Sequence, residues 1–248
     1  MKAYVILSAL IAILIVGCST EEELIQSNYI PATPTQMGSI TDCEGNQYST
    51  VLIGNQEWMA ENLRASCYAN GDAIINLQDN IEWSNSVNGA WVHYNNDEQY
   101  ENPYGKLYNW YVTMDPRNAC PQGWHVPTDA EWSLMIGILD PQHNPNSTGI
   151  QSEIAGGKMK QTGTQYWASP NVDATNESGL TILPGGIRDG IYESAGFGWL
   201  GESGLFWSSS EDSNSFAYYR HLYRNDGEIG RGGTVEKDFG YSIRCIKD

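Results

Sequence analysis

Four histidines, His93, His125, His143 and His221, stand among many serines and 30 acidic residues, and each combination names a chemistry to test. A serine and a histidine could form a nucleophilic pair, but no serine lies in the G-x-S-x-G elbow that lifts such a hydroxyl above a sheet. His125, between Trp124 and Val126 in a tight turn, is either a structural hydrogen-bonder or a base. His221 alternates with Tyr219 and Tyr223, so its ring faces either a groove or plain solvent. Two carboxylates about 5 to 10 Å apart would suit glycoside hydrolysis. With so many acids coincidental pairs are inevitable, and the sequence does not measure their separation. Hard oxygen ligands for calcium collect at Asn95, Asn96, Asp97, Glu98 and Glu101, and again at Asp173, Asn176 and Glu177. Neither group follows the EF-hand order, and a solvated polar loop is the alternative.

Nine tryptophans and fifteen tyrosines offer a different chemistry. Such rings stack on sugar faces or anchor protein interfaces while their polar tips hydrogen-bond, and they equally fill the core of a loop-rich domain. Trp83, Trp91, Trp167 and Trp199 lie in Gly- or Asn-rich segments and, with His221, are the candidates for contact with a carbohydrate or protein ligand.

The formal net charge is −17, from 30 acidic and 13 basic residues. A phosphate-rich polymer would be repelled, which argues against nucleic acid as a partner. Beyond Cys18 the cysteines are Cys43, Cys67, Cys120 and Cys245. An even number in an exported chain points to disulfides, and the absence of a C-x-x-C pair argues against zinc.

The strongest local element is the segment 120–139, CPQGWHVPTDAEWSLMIGIL. Pro127 closes a turn, and Thr128 and Glu131 are placed to form a capping box. Trp132, Met135, Ile136 and Leu139 then recur as one apolar stripe until Asp140-Pro141 ends the helix. Such a helix must lie on a large apolar surface, and a sheet drawn from strands on both sides of it is expected. A hairpin over 47–59 turns at Gly54-Asn55 and should open the domain. Long ordered loops with a short helix near 104–112 follow. A weaker helix is expected over 150–161, a buried strand broken at Pro184 over 180–187, and strands at 206–210, 215–223 and 241–246. In the strand over 215–223, Phe216, Tyr218, Arg220 and Leu222 should share one face, and Ala217, Tyr219, His221 and Tyr223 the other.

The N-terminus carries an address. Lys2 precedes an apolar run over 5–16, too short for a comfortable membrane span and suited to a signal peptide. Gly17-Cys18 resembles the bacterial lipobox, which implies that residues 1–17 are removed and Cys18 is acylated, anchoring the chain to a membrane. A retained N-terminal anchor is the alternative. Glu21, Glu22 and Glu23 resemble the surface-export signal of Bacteroidetes lipoproteins, or else simply begin a solvated tether. Residues 18–38 are that acidic, proline-containing tether, and 39–248 make a single domain.

Within that domain, DCEGNQYSTVLIGNQEWMAENL, YGKLYNWY, CPQGWHVPTDAEW, AGGKMK, ATNESGLTILPGGIRDG, WSSSEDSNSFAYYRHLY and YSIRCIKD appear in order. The chain thereby resembles the Fibrobacter succinogenes major paralogous domain of Bacteroidetes lipoproteins. More distantly, VPTDAEW and YSIRC look like segments of formylglycine-generating enzymes. That resemblance implies an α+β, C-type-lectin-like fold, loop-rich, with mixed antiparallel sheets, one main and one lesser helix. It does not imply that chemistry, because the closely spaced copper-binding cysteines are missing. Trp58, Trp110, Trp124, Trp132 and Trp207 fall inside family motifs and are expected in the core.

Four cysteines allow three pairings. Cys120 and Cys245 sit inside family motifs, whereas Cys43 and Cys67 depart from the usual pattern and flank the opening hairpin. The resemblance therefore implies the bonds Cys120–Cys245 and Cys43–Cys67. Three functions remain: a non-catalytic outer-membrane lipoprotein, exposed at the cell surface, that binds a carbohydrate or a protein; an enzyme derived from the formylglycine-generating architecture; or a structural surface protein without a dedicated ligand.

Overall fold

The computed structural model describes residues 35–190 and 196–248; Cys18 and the acidic triplet at 21–23 lie outside the described residues. Strand β1 (Thr35–Thr41) pairs with β2 (Gln47–Ile53), which turns through Gly54-Asn55 into β3 (Gln56–Met59). The hairpin falls where expected, but the domain opens one strand earlier, inside the stretch assigned to the tether. Composition hid β1 because it is an edge strand. All its residues but Ile40 are exposed, so backbone pairing with β2 holds it, not burial.

Then come β4 (Ile75–Asn76), α1 (Asn80–Ser84), β5 (Ala90–Val92), α2 (Glu101–Tyr104), β6 (Leu107–Tyr108) and β7 (Trp124–His125). The helix expected near 104–112 is not formed. The chain instead takes strand β6 and a single 3₁₀ turn at Trp110–Val112. Tyr108 exchanges both backbone hydrogen bonds with Tyr241, at 2.9 and 3.0 Å, and so cannot bond within a helix.

Helix α3 (Asp129–Leu139) carries the expected capping box: the Glu131 amide donates to Thr128 Oγ1 at 3.2 Å, and the Thr128 amide to Glu131 Oε2 at 2.7 Å. Its stripe packs Trp132 against Trp58 with ring centroids 4.8 Å apart, and against Phe206 at 5.9 Å. The second helix is shorter than expected. Residues 149–152 form β8 (Gly149–Ser152), and only α4 (Ala155–Met159) is helical. The glycines there serve close approach: a Cβ at Gly156 would stand 1.9 Å from the Glu228 carbonyl oxygen.

The remaining strands are β9 (Ile187–Arg188), β10 (Phe197–Gly198), β11 (Ser203–Glu211), β12 (Phe216–Tyr223), β13 (Ile229–Glu236) and β14 (Ile246–Lys247). Residues 180–186 are mostly buried as expected but irregular, since the carbonyls of Leu180 and Thr181 accept from the buried Arg244 guanidinium. Among the described residues the sheets run β1-β2-β3-β14-β7, β4-β5-β6, β11-β12-β13-β8 and β10-β9. Among the described strands only β4 and β5 pair in parallel, with isolated parallel bridges at Lys160–Ile182 and Phe206–Ser242. The fold is thus α+β and sheet-rich. The strand expected over 241–246 is reduced to the short β14, which lies inside its sheet: Ile246 pairs with both Trp58 and His125.

Both cross-links form, with Cα separations of 6.1 Å for Cys43–Cys67 and 5.9 Å for Cys120–Cys245, inside the range a disulfide needs. No helix among the described residues is long and apolar enough to cross a membrane.

Candidate functional site

Strand β12 divides its side chains as alternation requires. Arg220 and Leu222 face α3. The fully buried Arg220 guanidinium donates to Asp129 Oδ1 at 2.7 Å, to the Asp129 carbonyl at 2.9 Å and to Ser133 Oγ at 3.0 Å. Arg231 grips the same Asp129 carboxylate at 2.6 Å. This inner face is locked to the start of the helix, so Tyr219, His221 and Tyr223 are left on the other face as a row of half-buried rings.

The row is closely spaced, with centroids 5.6 Å apart from Tyr219 to His221 and 5.2 Å from His221 to Tyr223. Directly across on β13 are Gly232, opposite Tyr219, and Gly230, opposite His221. A Cβ at Gly230 would come 1.8 Å from His221 Nε2, and one at Gly232 would come 2.0 Å from Tyr219 Cε1. The rings therefore lie over the glycines, covering bare backbone as cross-strand aromatics do. Burial, then the charge of Arg220, pushes the His221 pKa down to about 4. Its ring is neutral at physiological pH, and its buried Nδ1 has no partner. Behind the row, Tyr241 stacks on Tyr219 at 5.1 Å and on Trp207 at 4.5 Å. Near Tyr241, burial and the charges of Glu236 and Asp189 raise Asp238 to about 6.

At the Tyr223 end the row meets a cleft of about 330 Å³. One wall is the turn before β11, with Trp199, Glu202 and Ser203; the other is Tyr223 and the turn through Arg224, Asn225 and Asp226. Trp199 is 51% exposed and sits at φ +60°, a region few residues with a side chain adopt. Its carbonyl accepts the amides of Glu202 and Ser203 at 2.9 and 3.0 Å, which holds it there. Ser203 pairs across to Tyr223, and its buried hydroxyl has no partner. Arg224 bonds the Ser169 carbonyl and lies 4.0 Å from Glu202.

The turn beyond Tyr223 is held from below by an internal cation. The fully buried Lys160 donates to the carbonyls of Val172, Tyr223 and Asp226 at 2.8, 3.0 and 2.6 Å. Burial pulls its pKa down to about 8, which leaves it mainly charged at neutral pH.

Of the five ring candidates, Trp199 and His221 are brought to one place, joined through Tyr223. Trp83 and Trp167 are instead fully buried, with 0% and 1% exposure. The Trp83 indole donates to the Asp238 carbonyl beneath Arg188, and that of Trp167 to the Ile182 carbonyl. Their Gly- and Asn-rich neighbourhoods make tight loops that wrap the rings. Trp91 is half-buried, its indole bonded to the Ile74 carbonyl and its face under Lys106. The five tryptophans expected in the core are all buried.

The calcium candidates have other duties. Asn95 and Asn96 form a turn at φ +55° each. Asp97 accepts from the Gln99 amide at 3.0 Å, and Glu101 is held by His93 at 2.7 Å and Lys106 at 2.9 Å. Glu98 is exposed and begins a 3₁₀ turn. Among the described residues no three His, Cys, Asp or Glu side chains gather closely enough to hold a metal ion. His125 is a hydrogen-bonder, set between Asp248 at 2.7 Å and Glu131 at 3.0 Å.

A family model described as the Fibrobacter succinogenes major domain matches residues 51–247. The chain belongs to that family. No curated protein and no solved structure matches it. Every residue of the ring row and the cleft falls inside the Fibrobacter succinogenes major domain, whereas β1 and Cys43 lie before the matched span. Tyr219 and Tyr223 are placed on the His221 face by the sequence but not marked there as ligand contacts, and Glu202, Asp226 and Lys160 are not singled out at all. The signal that could have found the first two is the pairing of an aromatic-alternating strand with a glycine-alternating one, FAYYRHLY beside IGRGGTVE.

Proposed function

We propose that the chain is a cell-surface lipoprotein, anchored in the outer membrane through Cys18, whose folded domain is non-catalytic and binds carbohydrate in the cleft beside Trp199. The observation that carries this reading is Trp199 itself. A large ring half in water at positive φ costs about 1–3 kcal/mol of backbone strain, and its own exposure returns little of that. An indole held open in this way offers a flat apolar face to a sugar ring, with Glu202, Asn225 and Asp226 around it to take hydroxyls. The lipobox-like Gly17-Cys18, the apolar run before it and two disulfides support an exported, anchored chain. A C-type-lectin-like architecture is supported by β14, from the C-terminal end, pairing beside β3 from the N-terminal end.

The test is a glycan array probed with the full chain in detergent, wild type against Trp199→Ala. Binding to a sugar that drops about tenfold or more in the variant supports the reading; an array without signal removes it. A second reading, hydrolysis by Glu202 and Asp226, rests on both carboxylates lining one cleft. Incubating the bound glycan with the protein and analysing the products decides between the two. Metabolic labelling with a fatty acid reports on Cys18, and a wild-type chain that takes up no label ends the anchor assignment.

A further inference from the structure

We infer that the ligand of this site is a linear, uncharged polysaccharide held at several consecutive sugar units, one in the cleft against Trp199 and Tyr223 and the next along His221 and Tyr219. The inference rests on the carbohydrate reading above and adds the ligand's length, shape and charge.

Length follows from continuity. The cleft, at about 330 Å³, is at the small end of ligand sites, but Tyr223 is both its wall and the last ring of the row. From Tyr219 to Tyr223 the strand advances about 13 Å at roughly 3.3 Å per residue. A bound chain leaving the cleft on that side meets a new ring every two residues of β12.

Shape follows from the glycines. On the β13 side, opposite Tyr219 and His221, no side chain stands up beside the rings, while the buried Trp207 and Leu205 flank them on β11, so the row is a platform open along its β13 side and not a socket. A platform admits units in the middle of a chain, whereas a socket selects an end.

Charge follows from the rim. Glu202 and Asp226 line the cleft, and at the other end of the row Asp189 acts on Tyr241 and, with Glu236, on Asp238. Arg224 is occupied by the Ser169 carbonyl and faces Glu202. With a net charge of −17 behind them, these carboxylates repel uronic acids and sulfated or phosphorylated sugars.

The experiment uses the full chain in detergent and affinity electrophoresis in gels containing hydroxyethylcellulose, laminarin, galactomannan, xylan, polygalacturonate or chondroitin sulfate. Titration calorimetry then follows, with a disaccharide-to-hexasaccharide ladder of the best neutral polymer. Retardation by a neutral polymer and not by the two anionic ones is expected, with affinity rising about tenfold or more up the ladder. Tyr219→Ala should remove most of that rise, and the ladder on the wild type tests the length claim even if the variant folds poorly. A disaccharide that binds as tightly as the hexasaccharide, or preference for an anionic polymer, overturns the inference while leaving the carbohydrate reading standing. Absence of binding to every polymer, together with a blank array, overturns both.

Discussion

Acid should weaken this domain through one residue of the ring row. His221 is held near pKa 4 by burial first and by Arg220 second, against about 6.5 in an unfolded chain. As pH falls through 6.5 the unfolded chain takes up a proton that the folded one refuses until about pH 4. Between those values the unfolded state binds more protons, so stability falls with pH. A gap of about 2.5 units at about 1.36 kcal/mol each amounts to about 3 kcal/mol lost on reaching pH 4. Three other groups oppose it: Asp238, raised to about 6; Glu228, raised by burial and then by the charges of Asp226 and Glu153; and His125, whose pKa is raised by its two carboxylates after burial has worked the other way. All three bind protons more readily when folded, so they add stability as the pH drops. His221→Phe isolates the wanted effect, because the phenyl ring still covers Gly230 and does not titrate. Urea denaturation of wild type and variant at several values from about pH 7.5 to 4 should show their stability difference move by about 3 kcal/mol in the variant's favour. A difference constant to within about 0.5 kcal/mol across that range would refute the argument, as would an NMR titration placing the His221 imidazole near 6.5.

Lys160→Met should cost about 2–4 kcal/mol, because it orphans three carbonyls while sparing the burial of an ammonium; the thermal midpoint reports it as a fall of about 5–15 °C. Gly230→Ala sets a methyl against the His221 ring and should lose about 1–3 kcal/mol in urea. Gly38→Ala, with nothing within 4 Å of its Cβ, should stay within about 0.5 kcal/mol. Replacing Cys120 and Cys245 together should cost more than replacing Cys43 and Cys67. Their sequence separations of 125 and 24 correspond to about 5 and about 3.5 kcal/mol of loop entropy, and guanidinium midpoints in the reverse order would contradict this.

What could be read in the residues was whatever local chemistry decides. Helix α3 announces itself because Thr128, Glu131 and the Trp132, Met135, Ile136 stripe are neighbours along the chain, so the cap and the buried face come from one short segment. The division of β12 was legible for the same reason, two-residue alternation being a property of a single strand. β1 was not, because an exposed edge strand lacks the apolar pattern that marks burial. Trp83 and Trp167 were placed wrongly because their burial depends on distant partners, the Asp238 and Ile182 carbonyls and the cations Arg188 and Lys160. The cleft was only half visible. Trp199 could be suspected from its glycine-rich setting, but Tyr223 and Asp226 join it through the pairing of β11 with β12, which no local pattern encodes.

The segment 241–247 sets a schedule for folding. Cys245 accepts the Met59 amide, Ser242 accepts that of Trp207, Tyr241 exchanges with Tyr108, and Lys247 reaches Glu57, 190 residues away in sequence. Strands made first thus wait for the segment 241–247, so the sheet that holds β2 and β3 closes only after that segment has been made. The same schedule exposes Cys43, Cys67 and Cys120 before Cys245 emerges. Cys43 and Cys67 can join early, but Cys120 spends that interval as an odd thiol with two wrong partners in reach. Any bond it forms then must be exchanged before β14 can be seated, so a thiol–disulfide isomerase should speed the appearance of the native fold.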